Sequence, residues 1–237
     1  VKLMNEYLTE MTDILLLHQG TLDKYIGDAI VAFYGAPAPL IDQEKKACST
    51  ALMMHNKLDE LRKKWMKEGD WPDIVYQMQH RIGLNSGQMV TGNMGSEMRM
   101  NYTMMGDTVN LAARLEPAAK QYGVYILVGE KVYEASNDEF AFRFLDFLSV
   151  KGKNIPVKTY ELIDRKELID KRSIDLINTF ERGLDNYFNQ KWDHAIKLFK
   201  KSTNFEDDFP GRNTNPSQVF IDRCKYFKQN PPDLNWD

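Results

Sequence analysis

The chain has 237 residues, of which 43 % are hydrophobic and 27 % charged, with a net charge of −3. This is the composition of a soluble globular protein long enough for one sizeable domain and a small second one. The slight negative balance excludes a general affinity for nucleic acid or an anionic membrane surface, so any polyphosphate ligand has to be held by a few placed cations.

Residues 2–18 carry Met4, Tyr7, Met11, Ile14 and Leu15 at helical spacing, and Gly20 ends the amphipathic helix this predicts. In LDKYIGDAIVAFYG, residues 22–35, apolar and β-branched residues flank Gly27-Asp28, which predicts strand, tight turn and strand. A loop, APAPLID, follows. Ala47, Ala51, Met54, Leu58, Leu61 and Trp65 then form one face of a long helix, a core or partner-contact stripe with charged residues opposite. Residues 78–94, MQHRIGLNSGQMVTGNM, predict a second hairpin turning at Asn85-Ser86-Gly87. Tyr102 to Met105 reads as a short strand. Gly106-Asp107-Thr108 opens a helix to about Tyr122, with Asp107 or Thr108 as its N-cap. Tyr125 to Val128 is a strand and 129–136 a short helix. Residues 140–149 and 157–163 are the last two strands, joined by Lys151-Gly152-Lys153-Asn154. This irregular alternation predicts an α+β sandwich with a mainly antiparallel sheet, not a doubly wound parallel one.

Past residue 165 the pattern changes. Ile174, Ile177, Phe180, Leu184 and Tyr187 form one helical stripe, and Trp192, Ala195, Ile196 and Phe199 a second. The pair resembles a single tetratricopeptide unit, which cannot bury its own face and is expected to pack on the first domain or on a partner. Residues 203–218 read as loop and about 217–228 as a last helix. The predicted division is therefore 1–165 and 166–237. Cys48 and Cys224, outside any metal-ligand spacing, read as reduced thiols of a cytoplasmic protein. No stretch has the length and apolarity of a membrane helix, and no signal peptide is visible.

Three patterns carry chemistry: Lys24-Tyr25-Ile26-Gly27-Asp28, the run Tyr102-Thr103-Met104-Met105-Gly106-Asp107-Thr108-Val109-Asn110-Leu111-Ala112-Ala113-Arg114-Leu115, and Val150-Lys151-Gly152-Lys153. Taken singly each is modest. Asp28 is either a turn residue or a ligand for a hard metal. Asn110 and Arg114, four apart, share a helix face that is either merely solvated or presents an amide and a guanidinium to a ribose and a phosphate. Lys151 and Lys153 are either ordinary loop residues or point charges on a triphosphate.

In this order and spacing the three patterns resemble the class III adenylyl and guanylyl cyclase catalytic domain, over residues 1 to about 163. The long GDTVNLAARLE run is the most specific part, and the K-x-x-G-D hairpin adds to it independently. The resemblance implies a ferredoxin-like, palm-type sandwich whose active site forms at the interface of a head-to-tail homodimer. It implies that Asp28 is one of two aspartates holding two divalent metals, Mg²⁺ or Mn²⁺. It implies that Lys24 and Thr103 read the purine, that Asn110 orients the ribose, and that Arg114 stabilises the pentavalent phosphorus. Lys151, or less well Lys153, matches the lysine that neutralises the triphosphate. Adenine offers an acceptor at N1 and a donor at N6, so a lysine and a hydroxyl favour ATP. Guanylyl members place a glutamate and a cysteine there.

The family's first metal aspartate lies on a strand ahead of the first helix, and no equivalent occurs between Val1 and Thr21. Asp13 falls inside the helical pattern and is expected to be solvated. The expectation is that a protein of these residues alone binds metal weakly and turns over little. What precedes it, including membrane or sensor domains, is left open. The rival readings are a non-catalytic cyclase-homology module that pairs with and regulates another chain, a guanylyl cyclase, and an unrelated palm-type nucleotide binder.

Overall fold

The computed structural model describes residues 1–149 and 156–232. Its elements are α1 (Lys2–Leu17), β1 (Thr21–Ile26), β2 (Ala29–Phe33), α2 (Gln43–Glu68), β3 (Ile82–Leu84), β4 (Val90–Ser96), β5 (Arg99–Met105) and α3 (Asp107–Tyr122). They continue with β6 (Ile126–Gly129), α4 (Glu130–Ser136), β7 (Phe140–Leu148), β8 (Val157–Arg165), α5 (Lys171–Phe188), α6 (Trp192–Thr203) and α7 (Pro216–Gln229). A 3₁₀ segment at Asp73–Gln77, absent from the sequence reading, leads into β3. The class is α+β. A four-stranded sheet runs in the order β3-β6-β8-β7, and β1-β2 and β4-β5 form two separate ribbons. Only β3 and β6 pair parallel; the other described pairs are antiparallel.

The expected hairpin over residues 78–94 does not form. β3 pairs with β6, and β4 turns back onto β5, with Ser96 opposite Arg99. The polar side chains of the supposed turn point elsewhere. Asn85 donates from Nδ2 to the Thr108 carbonyl at 3.0 Å, and Ser86 donates from Oγ to Glu44 at 2.5 Å. They tie the segment to α3 and α2, so it crosses over instead of reversing. The true turn, Glu97-Met98, carries none of the residues that usually mark a two-residue hairpin.

The start of α3 also differs from expectation. Gly106, not Asp107 or Thr108, is the N-cap, at φ 146° and ψ 167°, a conformation that side chains other than hydrogen rarely tolerate. Its carbonyl accepts from the amides of Val109 and Asn110 at 3.1 and 3.2 Å. Underneath, β3 passes so close that a β-carbon on Gly83 would stand 2.5 Å from the Ala112 carbonyl oxygen and 2.7 Å from the Glu116 nitrogen. Glycine there lets helix and strand touch backbone to backbone.

Among the described residues three apolar clusters form the interior. α1 packs on α2 through Tyr7, Met11, Leu58, Leu61 and Trp65. α2 covers the sheet through Cys48, Ala51, Val128 and Phe142. The back of α3 (Leu111, Leu115, Ala119) meets Leu127 and Leu145 and the α5–α7 helices through Phe180, Phe199 and Phe220. Both cysteines are buried, free thiols.

The C-terminal helices are tied to the sheet by a buried ionic knot. Arg143 of β7, 1 % exposed, donates from Nε to Glu161 at 2.8 Å and from Nη1 to Glu206 at 2.8 Å. Glu206 also accepts from Arg212 at 3.2 Å and from the Ser217 hydroxyl at 2.8 Å. The two carboxyls therefore behave differently. Burial pushes Glu161 up despite the guanidinium. It also acts on Glu206, but there Arg143, Arg212 and Ser217 outweigh it and hold the carboxyl below its ordinary range.

Replacing Arg143 by Ala would strip Glu161 of its guanidinium partner and leave Glu206 with Arg212 and Ser217 alone, and the expected loss is about 3–5 kcal/mol, read from urea unfolding. A second prediction concerns acid. His55 and His80 lie with ring centroids 5.9 Å apart beside Tyr125. Burial, then the charge of Arg62, pushes His55 down to about 4; burial, then His55 and Arg62, pushes His80 down to about 3. Both are neutral in the fold, whereas the unfolded chain binds protons below about 6.5. Their contribution is complete above pH 6.5 and drains away as pH falls toward 3–4. The thermal midpoint should drop between pH 7 and pH 4, and His55→Phe should flatten that slope.

Candidate active site

The two ribbons meet where β1 lies against β5. β1 is irregular at this place. Leu22 pairs with Ala32 and Lys24 with Val31, so Asp23 is an extra residue bulged out of the ladder. A bulge re-aims the side chains around it. Here it turns the Asp23 carboxylate inward, 3 % exposed, while Lys24 stays 48 % exposed. Thr103 of β5 donates its hydroxyl hydrogen bond to Asp23 Oδ2 at 2.9 Å. The Lys24 ammonium lies 3.4 Å from the same oxygen. Lys24 and Thr103, far apart in the chain and paired at the sequence level only through the family resemblance, are thus joined at one carboxylate.

β5 ends at Met105 and α3 begins two residues later. Leu111 and Leu115 bury one face of the helix, which leaves Asn110 and Arg114 together on the exposed face. Asp28 sits at the tip of the β1–β2 ribbon, exposed to solvent. Tyr7 of α1 feels it: burial and then the charge of Asp28 push the phenol up to about 12. Lys151 and Lys153 lie outside the described residues. Asp13 is exposed on α1, as its place in the helical pattern implies.

Among the described residues no three His, Cys, Asp or Glu side chains converge in a way that could hold a metal ion. Asp28 offers one exposed carboxylate. Hard divalent cations such as Mg²⁺ accept one or two carboxylates together with substrate phosphates. The donor therefore suits a cation shared with a polyphosphate and does not amount to a protein-only cage.

Exposed apolar side chains surround the ribbons: Ile26 (62 %), Val90 (67 %), Met98 (95 %), Met100 (60 %) and Met105 (59 %). A separate cavity of about 670 Å³, between α2, β8 and the loop after α6, shares no residue with this surface.

The sequence reading missed Asp23, whose one legible sign was a carboxylate inside an apolar strand directly before a lysine. It also missed Asn85 and Gly83, which hold the start and the underside of α3, and Ser86, which ties the same segment to α2.

Comparison with known proteins gives a consistent result. The chain is 31 % identical over 229 residues to the "Adenylate cyclase, terminal-differentiation specific" of Dictyostelium discoideum, a match covering 94 % of this chain and 10 % of that protein. Across the first curated relatives, the chain spans only 10 % to 32 % of their length. Among solved structures it is similar to the adenylyl cyclase CyaB from P. aeruginosa, with a TM-score of 0.63 at 32 % identity, over 71 % of this chain and 84 % of that one. It is similar as well to the guanylyl cyclase Cya2, with a TM-score of 0.60 at 30 % identity, over 72 % of this chain and 83 % of that one. The model of the adenylate and guanylate cyclase catalytic domain matches residues 1–164, and the chain belongs to that family.

Proposed function

We propose that this chain is the catalytic part of an adenylate cyclase, converting ATP to 3′,5′-cyclic AMP and pyrophosphate at the interface of a homodimer. The observation that carries the reading is the junction of Lys24 and Thr103 at Asp23, from which β5 runs on through Met105 and Gly106 into α3, the helix that carries Asn110 and Arg114.

In this reading Lys24 donates to adenine N1 and Thr103 accepts from the N6 amino group, a polarity that guanine reverses. The Asn110 amide orients the ribose so that its 3′-oxygen lies in line with the α-phosphate. Arg114 donates to the oxygens of the pentavalent phosphorus, and Lys151 or Lys153 balances the triphosphate. The 3′-oxygen bonds to the α-phosphorus as the bond to pyrophosphate breaks, and the hydroxyl proton leaves to water. When bound between Asp28 and the triphosphate, two Mg²⁺ or Mn²⁺ ions would supply acidification of the hydroxyl and charge neutralisation. Positioning and preorganised charge lower most of the barrier.

A second copy is part of the proposal because Asp28, at a ribbon tip, and the Asn110–Arg114 pair are assigned to one nucleotide from opposite subunits. The apolar side chains around the ribbons support a surface that becomes covered. Residues 1–165 form the catalytic domain, and 166–237 a helical extension resembling one tetratricopeptide unit and serving as a packing appendage. The described helices are not long and apolar enough to cross a membrane. We place the domain in the cytoplasm, with any membrane or sensor segments upstream in the parent protein.

Cyclisation assays with ATP and GTP, in Mg²⁺ and Mn²⁺, test this directly on the parent protein. Asp28→Ala, Asn110→Ala and Arg114→Ala should each cut the rate about 100- to 1,000-fold. Mixing the inactive Asp28→Ala and Arg114→Ala proteins should restore about a quarter of the wild-type rate, since half the dimers then carry one intact site. No recovery on mixing would mean that each subunit builds its site alone. Lys24→Glu with Thr103→Cys should shift preference from ATP toward GTP, and an unchanged preference would overturn the purine assignment.

A further inference from the structure

We infer that Asp23 is a specificity-determining positioning residue: by accepting the hydrogen bond that the Thr103 hydroxyl donates, it turns that hydroxyl into an acceptor-only reader of the purine 6-position. The inference rests on the reading that Lys24 and Thr103 face the base.

A threonine hydroxyl is ambiguous by itself. It can donate one hydrogen bond or accept two, and it rotates to suit its neighbour. Facing a purine without further constraint, it would satisfy the 6-amino group of adenine and the 6-carbonyl of guanine or hypoxanthine about equally. Discrimination needs something that fixes the proton. An ionised carboxylate accepts only. Asp23 Oδ2, 2.9 Å from Thr103 Oγ1, accepts the hydrogen bond that this hydroxyl donates. Only lone pairs then remain on the side of the hydroxyl turned away from Asp23. An amino group at the 6-position finds an acceptor there, whereas a carbonyl meets lone pair against lone pair.

Three features mark the arrangement as built for this. Asp23 is the bulged residue of β1, so the ladder is broken where the carboxylate turns inward. Its side chain is 3 % exposed, which removes the water that would otherwise compete for the Thr103 proton. Its second oxygen, Oδ1, is buried with no hydrogen-bond partner, a cost that packing alone gives no reason to keep. Lys24, 3.4 Å from Oδ2, supplies the neighbouring positive charge that suits an ionised carboxylate in so enclosed a place.

The test compares ATP with inosine triphosphate, which differ at the purine 6-position and in the N1 proton that follows from it, and with purine riboside triphosphate, which has no 6-substituent and keeps N1 as an acceptor. Affinities are read by displacement of a fluorescent ATP analogue, together with cyclisation rates. Wild type should prefer ATP over purine riboside triphosphate about tenfold, one hydrogen bond's worth. Asp23→Leu, Asp23→Ala and Asp23→Ser, checked for folding by thermal melts, should keep the preference over purine riboside triphosphate but bind inosine triphosphate more tightly than wild type does, narrowing the preference for ATP over it. Asp23→Asn keeps an oxygen facing Thr103 and should retain the wild-type preference. In a Thr103→Val background, Asp23→Leu should have no further effect on the ratio.

If wild type shows no preference for ATP over inosine or guanosine triphosphate, the underlying purine reading fails. If wild type discriminates and the three replacements discriminate equally well, Asp23 has no such role and the purine reading stands. If none of the three folds, the carboxylate is a structural element and the inference is overturned.

Discussion

Everything proposed for the site depends on where α3 is held, and α3 is held by backbone contact. Gly83 lets β3 run directly beneath the helix, and a methyl group there would collide with the main chain at Ala112 and Glu116. From above, Asn85 binds the Thr108 carbonyl in the first turn. At the far end, Arg212 donates to the carbonyl of Gly123, the C-cap residue, at 2.9 Å. Tyr122 donates to Asp146 at 2.6 Å, where Arg223 of α7 also binds. A helix fixed at both ends and underneath has little freedom to shift its exposed face, which is what side chains aimed at a reacting phosphate require.

These contacts make the C-terminal helices part of the scaffold. α7 and the loop before it reach the end of α3, and α5 and α6 cover its apolar back. The knot of Arg143, Glu161, Glu206 and Arg212 locks that arrangement to the sheet. Such a buried ionic group adds little net stability over a well-packed apolar equivalent. It does dictate one way of docking, because a slipped register would strand charges away from water.

Much of the architecture was legible because it follows from periodicity. The stripe from Ala47 to Trp65, the first ribbon about Gly27-Asp28 and the pair α5–α6 all occur where the pattern of apolar residues put them. The second ribbon was misread because its turn, Glu97-Met98, lacks turn chemistry, while Asn85-Ser86-Gly87 has that chemistry and uses it to bind other elements. The helix cap was misassigned since Asp107 and Thr108 are typical capping residues and the deciding feature was a glycine dihedral. Lys24 and Thr103 stood out through a family pattern. Asp23, which joins them, did not, because a bulge is a property of two paired strands and leaves no periodic trace in one. Glu206 was hidden for a similar reason: it lies in a polar loop and its partners are Arg212 of that loop, Arg143 of β7 and Ser217 of α7.

The passage from β5 through Gly106 into α3 has a metric consequence. No flexible linker separates Thr103 from Asn110, and a single residue turns the strand into the helix. The spacing between the group that would read the base and the groups that would grip sugar and phosphate is therefore set by covalent geometry, like marks on a ruler. A nucleotide is itself a nearly fixed length from base to α-phosphate. In the proposed site the corresponding gauge would lie within twelve consecutive residues, from Thr103 to Arg114.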